Sequence, residues 1–405
     1  MTAPHDGPTV SPAASPAAAA APPPAYLDCN ATAPLRPEAR AAMLEALAAP
    51  ANPSSVHRFG RAARALASRA RGQVAALVGA EPRRVVFTSG GTEAANLAFR
   101  LAIRRGGVKS LVVSAIEHDC ILRPARLLAE ELGLALREVP AGPDGVVPAA
   151  AIAAALAQVP RPALVALMLA NNETGVIQPV ADVTRLAHEA GALVLCDAVQ
   201  AAGKIPVDLA GLSCDFLTLS AHKLGGPTGV GALVLRDDWT PAPLLAGGGQ
   251  ELGMRAGTEN LPGIAGFGAA ADAARLALPT EAPRLAALRD RLQGLMLAAC
   301  PKAVVHGAPG HGAGAARLPN TLCIGLPGLP AETQVMALDL AGVAVSAGSA
   351  CSSGKVTPSH VLTAMGLPEQ AAREALRFSL GWASTPEDVE RAAAAWIALA
   401  RKNMK

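Results

Sequence analysis

Short apolar runs alternate with segments of helical pattern between about residues 84 and 236. The apolar runs are Val85–Phe87, Leu111–Val113, Leu164–Leu169, Leu193–Cys196, Phe216–Leu219 and Gly231–Leu235. The helical patterns between them include Thr92–Arg105, Asp119–Leu132 and Val180–Ala190. Because the runs are apolar throughout rather than alternating, they are typical of strands that are covered on both faces. The repeated strand–helix units predict an α/β fold with a doubly wound, mostly parallel sheet.

A different pattern begins near Leu278. A helix around Pro283–Ala299 is followed by a stretch rich in Gly and Pro, a strand near Asn320–Gly325 and further helices. This order is typical of a smaller α+β domain. We therefore predict a large domain over residues 36–277 and a small domain formed by residues 26–35 and 278–405.

Residues 1–25 are rich in Ala, Pro, Ser and Thr and are nearly uncharged. Such a segment buries too little apolar surface to offset the entropy of ordering it, so we predict a disordered tail. It has no basic start and no Leu-rich stretch, so it is unlike a secretory signal.

Composition narrows the possible functions. The 405 residues include 35 Lys+Arg and 32 Asp+Glu, and the resulting charge of +3 predicts no nucleic-acid partner. No uninterrupted run of about 18 apolar residues is present, so no membrane-spanning helix is expected. The seven cysteines are spread widely without a Cys-x-x-Cys pair, which indicates a reducing cytoplasm rather than disulfides or a zinc site.

Two polar segments at predicted strand ends suggest a phosphorylated cofactor. In Thr88–Asn96 two glycines turn the chain into a helix, which forms either a phosphate site or an ordinary capped turn. Asp197 follows the apolar run Leu193–Cys196, where it either caps the next segment or pairs with a protonated ring nitrogen, as in pyridoxal phosphate enzymes. The sequence motifs that bind ATP and NAD are absent after these strands.

Two loops rich in small residues carry candidate nucleophiles. Lys223 follows a buried strand and is either a surface-turn lysine or a desolvated Schiff-base lysine. Cys351 lies among Gly and Ser residues, where an exposed thiol is either a nucleophile or a site of oxidation. Five other cysteines have apolar neighbours and are expected to pack in the core, namely Cys120, Cys196, Cys214, Cys300 and Cys323.

Several motifs, in this order and spacing, resemble those of the NifS/IscS-like cysteine desulfurases of the class-V aminotransferase family. The likeness extends from Tyr26 to about Ala400. The segments that carry it include Asn52–Ser55, Phe59–Arg61, Thr88–Asn96, Asn171–Gly175, Asp197–Gln200, Ser220–Lys223, Gly247–Glu251, Arg255–Asn260, Ser346–Lys355 and Arg377–Gly381. The resemblance implies the fold-type I architecture, the cofactor pyridoxal 5′-phosphate, and conversion of L-cysteine to L-alanine with sulfur passing to an enzyme cysteine.

The resemblance also implies roles for the matching residues. Lys223 would bind the cofactor covalently, and Cys351 would accept the sulfur and transiently ligate an iron–sulfur cluster. The remaining cofactor contacts would be His118, Asn172, Asp197 and Gln200 around the ring and Gly91, Thr92, Ser220, His222 and Thr258 at the phosphate. His118 would also assist proton transfer, and Thr258 would come from the neighbouring subunit of a homodimer. The substrate would contact Asn30, Asn172 and Arg377, and a sulfur acceptor or an iron–sulfur scaffold protein would be the partner.

One departure from the family and two alternatives remain open at this point. Cys29 stands where most relatives have Asn, so a second thiol would lie near the substrate if this segment lines the cleft. The alternatives are a different class-V enzyme, such as a selenocysteine lyase or an aminotransferase, and a non-catalytic sulfur-relay protein.

Overall fold

The computed structural model describes residues 24–48, 52–307, 316–348 and 357–403, and its elements are numbered along the chain. The strands are β1 (Ala25–Tyr26), β2 (Val85–Thr88), β3 (Ser110–Ser114), β4 (Ala135–Val139), β5 (Ala163–Ala166), β6 (Leu193–Asp197), β7 (Phe216–Ser220), β8 (Gly231–Leu235), β9 (Val304–His306), β10 (Thr321–Gly325), β11 (Val343–Ala344), β12 (Ser346–Ala347) and β13 (Ala375–Ser379). The helices are α1 (Pro37–Leu47), α2 (Arg58–Leu77), α3 (Gly91–Arg104), α4 (Asp119–Leu132), α5 (Ala149–Leu156), α6 (Val180–Glu189), α7 (Leu209–Leu212), α8 (Leu261–Ala299), α9 (Ala331–Leu340), α10 (His360–Ala364), α11 (Glu369–Arg373) and α12 (Pro386–Asn403).

The larger sheet has the strand order β2-β8-β7-β6-β5-β3-β4 within the described ranges. Strand β8 is antiparallel to both of its neighbours, whereas the pairs among β3, β4, β5, β6 and β7 are parallel. The predicted α/β fold with a mostly parallel sheet is therefore confirmed. Because β2, β6 and β7 run in the same direction, their C-terminal ends lie at one edge of the sheet.

Both faces of this sheet are buried, which explains why its strands are apolar throughout. Val194 and Leu217 belong to a core shared with α2, α6 and the first part of α8. Leu195 and Phe216, one residue away on the same strands, belong to a second core shared with α3 and α4. Successive residues of a strand point to opposite faces, so helices on both sides require an apolar residue at every position.

A second, antiparallel sheet has the order β12-β13-β10-β9 in the part of the chain that is described. Its core is shared with α9, α12 and the second part of α8, and Trp396 of α12 is fully buried there. Ala25, which the sequence placed in the disordered tail, is instead buried in β1, where it pairs with Val343. The tail prediction for residues 1–23 lies outside the described residues.

Helix α8 connects the two cores. The sequence placed this helix near Pro283–Ala299, but it begins at Leu261, where the side chain of Asn260 accepts a hydrogen bond from Gly263 N at 3.1 Å. The helix continues through Pro279 and Pro283. Pro283, where the sequence placed the start of the helix, is therefore inside it. Its buried residues belong to the larger core up to Ala274 and to the smaller one from Leu285. The predicted boundary near residue 278 therefore falls inside a continuous helix.

Among the described helices, none has the length and the apolar composition that a membrane span requires.

Close packing between α2 and α8 gives a prediction about stability. A Cβ atom added at Gly268 would lie 2.5 Å from Ala70 Cα, so Gly268→Ala must push the two helices apart. We expect the free energy of unfolding to fall by about 1–3 kcal/mol. Gly294 lies in the same helix with nothing within 4 Å of an added Cβ, so Gly294→Ala is the matched control. Gly294→Ala should raise the free energy of unfolding by up to about 1 kcal/mol, because alanine has a higher helix propensity than glycine.

Thermal unfolding of the two variants, measured under one set of conditions, compares these effects. A lower midpoint for Gly268→Ala and an equal or higher midpoint for Gly294→Ala is the expected pair of results. Equal midpoints for the two variants would contradict the close helix contact.

Candidate active site

Polar side chains meet in a cavity at the C-terminal edge of the larger sheet, the usual ligand site of such sheets. The cavity has a volume of about 650 Å³. The predicted site residues among those that line it are Asn30, Gly91, Thr92, His118, Asn172, Asp197, Gln200, Ser220, His222, Lys223 and Arg377. Most of them follow strands of the larger sheet, while Asn30 and Arg377 come from the small-domain segments. The site therefore requires both parts of the chain.

Lys223 lies in a single 3₁₀ turn, Ala221–Lys223, directly after β7. Its Nζ donates hydrogen bonds to the main-chain oxygens of Asn30 at 2.8 Å and Ala31 at 2.9 Å. Burial lowers the pKa of Lys223 from 10.5 to about 8, and the charge of Arg377 acts in the same direction. About a tenth of this amine is therefore uncharged at pH 7, far more than for a lysine in water, and this fraction is available as a nucleophile.

The beginning of α3 and the end of β7 form a site suited to a phosphate. Helix α3 begins without a side-chain cap, so its first N–H groups can bind a phosphate, and Gly91 packs closely there, since an added Cβ atom would lie 3.1 Å from Val199 Cγ2. His222 Nδ1 is 3.1 Å from Thr32 Oγ1. Burial lowers the pKa of His222 to about 4, with Lys223 acting in the same direction, so the ring is neutral. His222 is thus a hydrogen-bonding group rather than a cation.

Asp197 ends β6 with its carboxylate held in a fixed orientation. Asp197 Oδ1 accepts hydrogen bonds from Val199 N and Thr218 Oγ1, each at 3.0 Å. Across the cavity, His118 precedes α4 and its Nδ1 accepts a hydrogen bond from Cys120 N at 3.1 Å. Burial lowers the pKa of His118, although the charge of Asp197 opposes this shift. A fixed carboxylate and a neutral imidazole therefore lie on the cavity wall.

Arg377 is held on β13 by two contacts to other segments. Its Nη2 donates to Asp28 Oδ1 at 2.6 Å, and its Nη1 donates to the main-chain oxygen of Asn172 at 3.1 Å. Its buried Nε has no hydrogen-bond partner among the described residues. Asn30 Nδ2 also donates to the oxygen of Asn172, at 3.1 Å. These contacts hold the planar guanidinium in a fixed orientation beside the cavity, which Arg377 lines.

Two predicted residues are not placed in the cavity. Thr258 is exposed and does not line the cavity of its own chain. Cys351 lies outside the described residues. However, Ser346 and Gly348 before this segment and Thr357 after it all line the cavity. The described chain on both sides of residues 349–356 therefore reaches the site.

The thiols of the described residues differ from one another in their surroundings. Cys29 is buried and lines a separate cavity of about 450 Å³ rather than the main one. Burial raises its pKa to about 12, so it is a poor nucleophile. Cys120 was expected in the core, but it is only partly buried and lines the main cavity because it lies in the first turn of α4. Burial raises its pKa well above the usual value. The remaining expected core cysteines are buried.

Sequence reasoning missed several groups around the cavity. Burial raises the pKa of Glu117 to about 8, and Met168 N donates to its Oε1 at 2.7 Å. Glu173 accepts a hydrogen bond from Ser359 Oγ at 2.5 Å, and a Cβ atom at Gly348 would lie 2.4 Å from Glu173 Oε2. Lys204 lies behind the cavity wall. None of these residues stands out in one sequence, because their burial depends on contacts between distant segments.

Comparison with known proteins places this geometry in a family. The model of the class-V aminotransferase family matches residues 25–392. The chain belongs to the class-V aminotransferase family. A protein of Cereibacter sphaeroides named cysteine desulfurase is 48% identical over 370 residues, which cover 90% of this chain and 93% of that protein. The structure of a NifS-like protein from Rickettsia africae has a TM-score of 0.82 and 32% identity, covering 93% of this chain and 99% of that one. The structure of SspA in complex with cysteine has a TM-score of 0.73 and 32% identity, covering 88% and 98%.

Pyridoxal 5′-phosphate is the cofactor of this family, and the cavity fits it. The amine of Lys223 has a lowered pKa, the carboxylate of Asp197 is suited to a protonated ring nitrogen, and the start of α3 is suited to a phosphate. The cofactor predicted from the sequence is therefore confirmed at the level of the family, while the roles of individual residues stay predictions.

The lowered pKa of Lys223 predicts the pH dependence of its reactivity. In the apoprotein its amine should become reactive with a midpoint near pH 8, because deprotonation exposes the nucleophilic lone pair. The reference is a short lysine peptide free in solution, whose amine should react with a midpoint of about 10.4. Arg377→Gln should move the midpoint of Lys223 upward, because a positive charge that disfavours its protonation is removed.

Competitive labelling with a small acylating reagent, quantified for each lysine by peptide mass analysis, measures these midpoints. A midpoint for Lys223 equal to that of the reference peptide would contradict the desolvated state of Lys223.

Proposed function

We propose that the protein is a cysteine desulfurase that converts L-cysteine to L-alanine and transfers the sulfur to Cys351 as a persulfide. The observation that carries this proposal is the position of Lys223, a buried amine with a lowered pKa in a cavity reached by the chain on both sides of Cys351. Relatives with the name cysteine desulfurase and the cysteine bound to SspA support the same reaction.

The residues around the cavity divide the work of binding. Arg377 would hold the substrate carboxylate with its guanidinium, whose plane is kept fixed by Asp28 and the oxygen of Asn172. Asp197 would pair with the ring nitrogen of the cofactor, with Thr218 fixing its orientation. When bound, pyridoxal phosphate supplies an electron sink for bonds at the substrate Cα.

Lys223 and Cys351 would carry the chemical steps that belong to the protein. The uncharged amine of Lys223 accepts the proton from the substrate Cα and later returns it, since its pKa lies near neutral pH. The thiolate of Cys351 attacks the substrate sulfur, a sulfur–sulfur bond forms and the bond from Cβ to sulfur breaks. The carbon fragment gains a proton at Cβ and leaves as alanine. One cysteine and one enzyme thiol thus become one alanine and one persulfide.

The persulfide requires a recipient. We infer a sulfur-acceptor or iron–sulfur scaffold protein, so that the sulfur supplies cluster assembly or another thio-cofactor. The support is chemical: a persulfide is a sulfur donor, and a thiol acceptor that takes its outer sulfur regenerates Cys351 for another turnover.

Replacement of the acceptor thiol separates cofactor binding from sulfur transfer. In Cys351→Ala we expect pyridoxal phosphate to bind at Lys223 as before, while sulfide release from cysteine falls about a thousandfold or more because the nucleophile is absent. Cys29→Ala is the matched control, since Cys29 lines a different cavity and its pKa is raised.

Sulfide release with excess reductant and borohydride reduction followed by peptide mapping measure the two properties. Unchanged sulfide release in Cys351→Ala would contradict the proposal and favour another class-V enzyme. Absence of a reduced cofactor adduct on Lys223 would favour a non-catalytic sulfur-relay protein.

We also infer a homodimer, in which Thr258 of the partner subunit would complete the phosphate site. The support is that Thr258 is exposed and outside its own cavity, and that Val56, Leu44 and Leu47 are exposed apolar side chains. Light scattering of the holoprotein should give twice the chain mass of 40.7 kDa. A monomeric holoprotein with full cofactor occupancy would contradict this inference.

A further inference from the structure

Lys204 is a second buried lysine behind the cavity, and it does not line the cavity itself. It follows Gln200 by four residues and is only 8% exposed. Its Nζ donates to Gln200 Oε1 at 2.6 Å and to Asn30 Oδ1 at 3.1 Å. Both acceptors are neutral amides, and no carboxylate contacts this amine within the described ranges. Burial lowers the pKa of Lys204 to about 7, with Lys223 acting in the same direction.

The free-energy cost of burying the Lys204 amine indicates that this residue has a specific role. A buried amine without a carboxylate partner is unfavourable, because neutral amides compensate only part of the lost hydration. An apolar residue of similar length would avoid this cost if the position served only to fill space. The hydrogen bonds that Lys204 donates are therefore its distinguishing contribution.

The donors of the amine contribute to the orientation of two amide groups. In either protonation state the amine has at least two N–H donors, and both neighbouring amides turn their oxygen atoms toward it. Asn30 Oδ1 also accepts a hydrogen bond from Asn320 Nδ2 at 3.0 Å. Gln200 is therefore the amide that depends most on Lys204. The NH₂ groups then face away from it. Gln200 Nε2 donates to the main-chain oxygen of Asn30 at 3.0 Å, and Asn30 Nδ2 donates to the oxygen of Asn172 at 3.1 Å.

These oriented amides contact the machinery of the site. The same main-chain oxygen of Asn30 accepts the hydrogen bond from Lys223 Nζ at 2.8 Å. Gln200 lines the cavity, and the second hydrogen of its Nε2 remains available for a ligand. The oxygen of Asn172 also accepts from Arg377. Hydrogen bonds therefore link Lys204, through Gln200 and Asn30, to Lys223 and Arg377, which are expected to hold the cofactor and the substrate.

We propose that Lys204 is a positioning residue, whose donors hold the oxygen of the Gln200 amide and so keep its NH₂ group toward the cofactor. The proposal rests on the proposed function only in taking pyridoxal phosphate as the cofactor. Without these donors, only the hydrogen bond from Gln200 Nε2 to the main-chain oxygen of Asn30 opposes a turn of the amide that would present its oxygen to the cofactor.

The first test is cofactor binding by the apoprotein in the absence of cysteine. Lys204→Met retains the length and the apolar stem but has no donors. We expect its dissociation constant for pyridoxal phosphate to rise about tenfold, the effect of about one lost hydrogen bond. Lys204→Gln, whose amide can donate, should recover part of the affinity and serves as a second variant if Lys204→Met fails to fold. Lys109→Met, at an exposed lysine, is the matched control and should bind as the unaltered protein does.

The second test separates positioning from a general structural role. If Lys204 acts through Gln200, Lys204→Met should weaken binding less than about twofold in a Gln200→Leu background, because the oriented group is already absent. The absorbance maximum of the bound cofactor should shift in Lys204→Met and remain unshifted in Lys109→Met.

Wild-type affinity in Lys204→Met, or the full tenfold loss in both backgrounds, would overturn the proposal. Binding of pyridoxal phosphate does not depend on which amino acid is the substrate. These outcomes are therefore distinguishable from a failure of the proposed desulfurase activity, which the sulfide assay reports.

Discussion

Burial of the Lys223 amine is the constraint on which the rest of the site depends. A charged ammonium is unfavourable at this position, so its pKa falls to about 8 and the amine becomes a nucleophile and base near neutral pH. The main-chain oxygens of Asn30 and Ala31 compensate for its hydration without adding the negative charge that would raise the pKa again. The nearby guanidinium of Arg377 acts in the same direction as burial. The surrounding residues thus set both the reactivity and the position of one nitrogen atom.

The two parts of the chain contribute different elements to this environment. The larger sheet places Asp197 and Ser220 at the ends of neighbouring parallel strands, where the register of the sheet fixes their separation. Asn30, which follows β1, and Arg377 on β13 of the second sheet also line the cavity. Helix α8 belongs to both cores and connects them. Packing of α8, far from the cavity, therefore affects the relative positions of the residues that the two sheets contribute to the site.

The sequence predicted the central strands well because a sheet covered on both faces leaves a simple apolar signal. Strand β4 was missed because it is an edge strand with Arg137 and Glu138 exposed, so it lacks that signal. The start of α8 was missed because Pro279 and Pro283 suggested a boundary that packing overrides. The motifs identified many of the cavity residues, since most of these lie at or just after the end of a strand. Lys204 and Glu117 could not be identified, because only the folded chain shows that they are buried.

The central claim is that sulfur from free cysteine passes to Cys351 while the carbon skeleton leaves as alanine. The most direct measurement is a single turnover with sulfur-labelled cysteine, followed by mass analysis of every cysteine-containing peptide and quantification of alanine. The account predicts labelled sulfur on the Cys351 peptide, in an amount equal to the alanine formed. Alanine without sulfur on Cys351, or labelled sulfur first on Cys29 or Cys120, would contradict it.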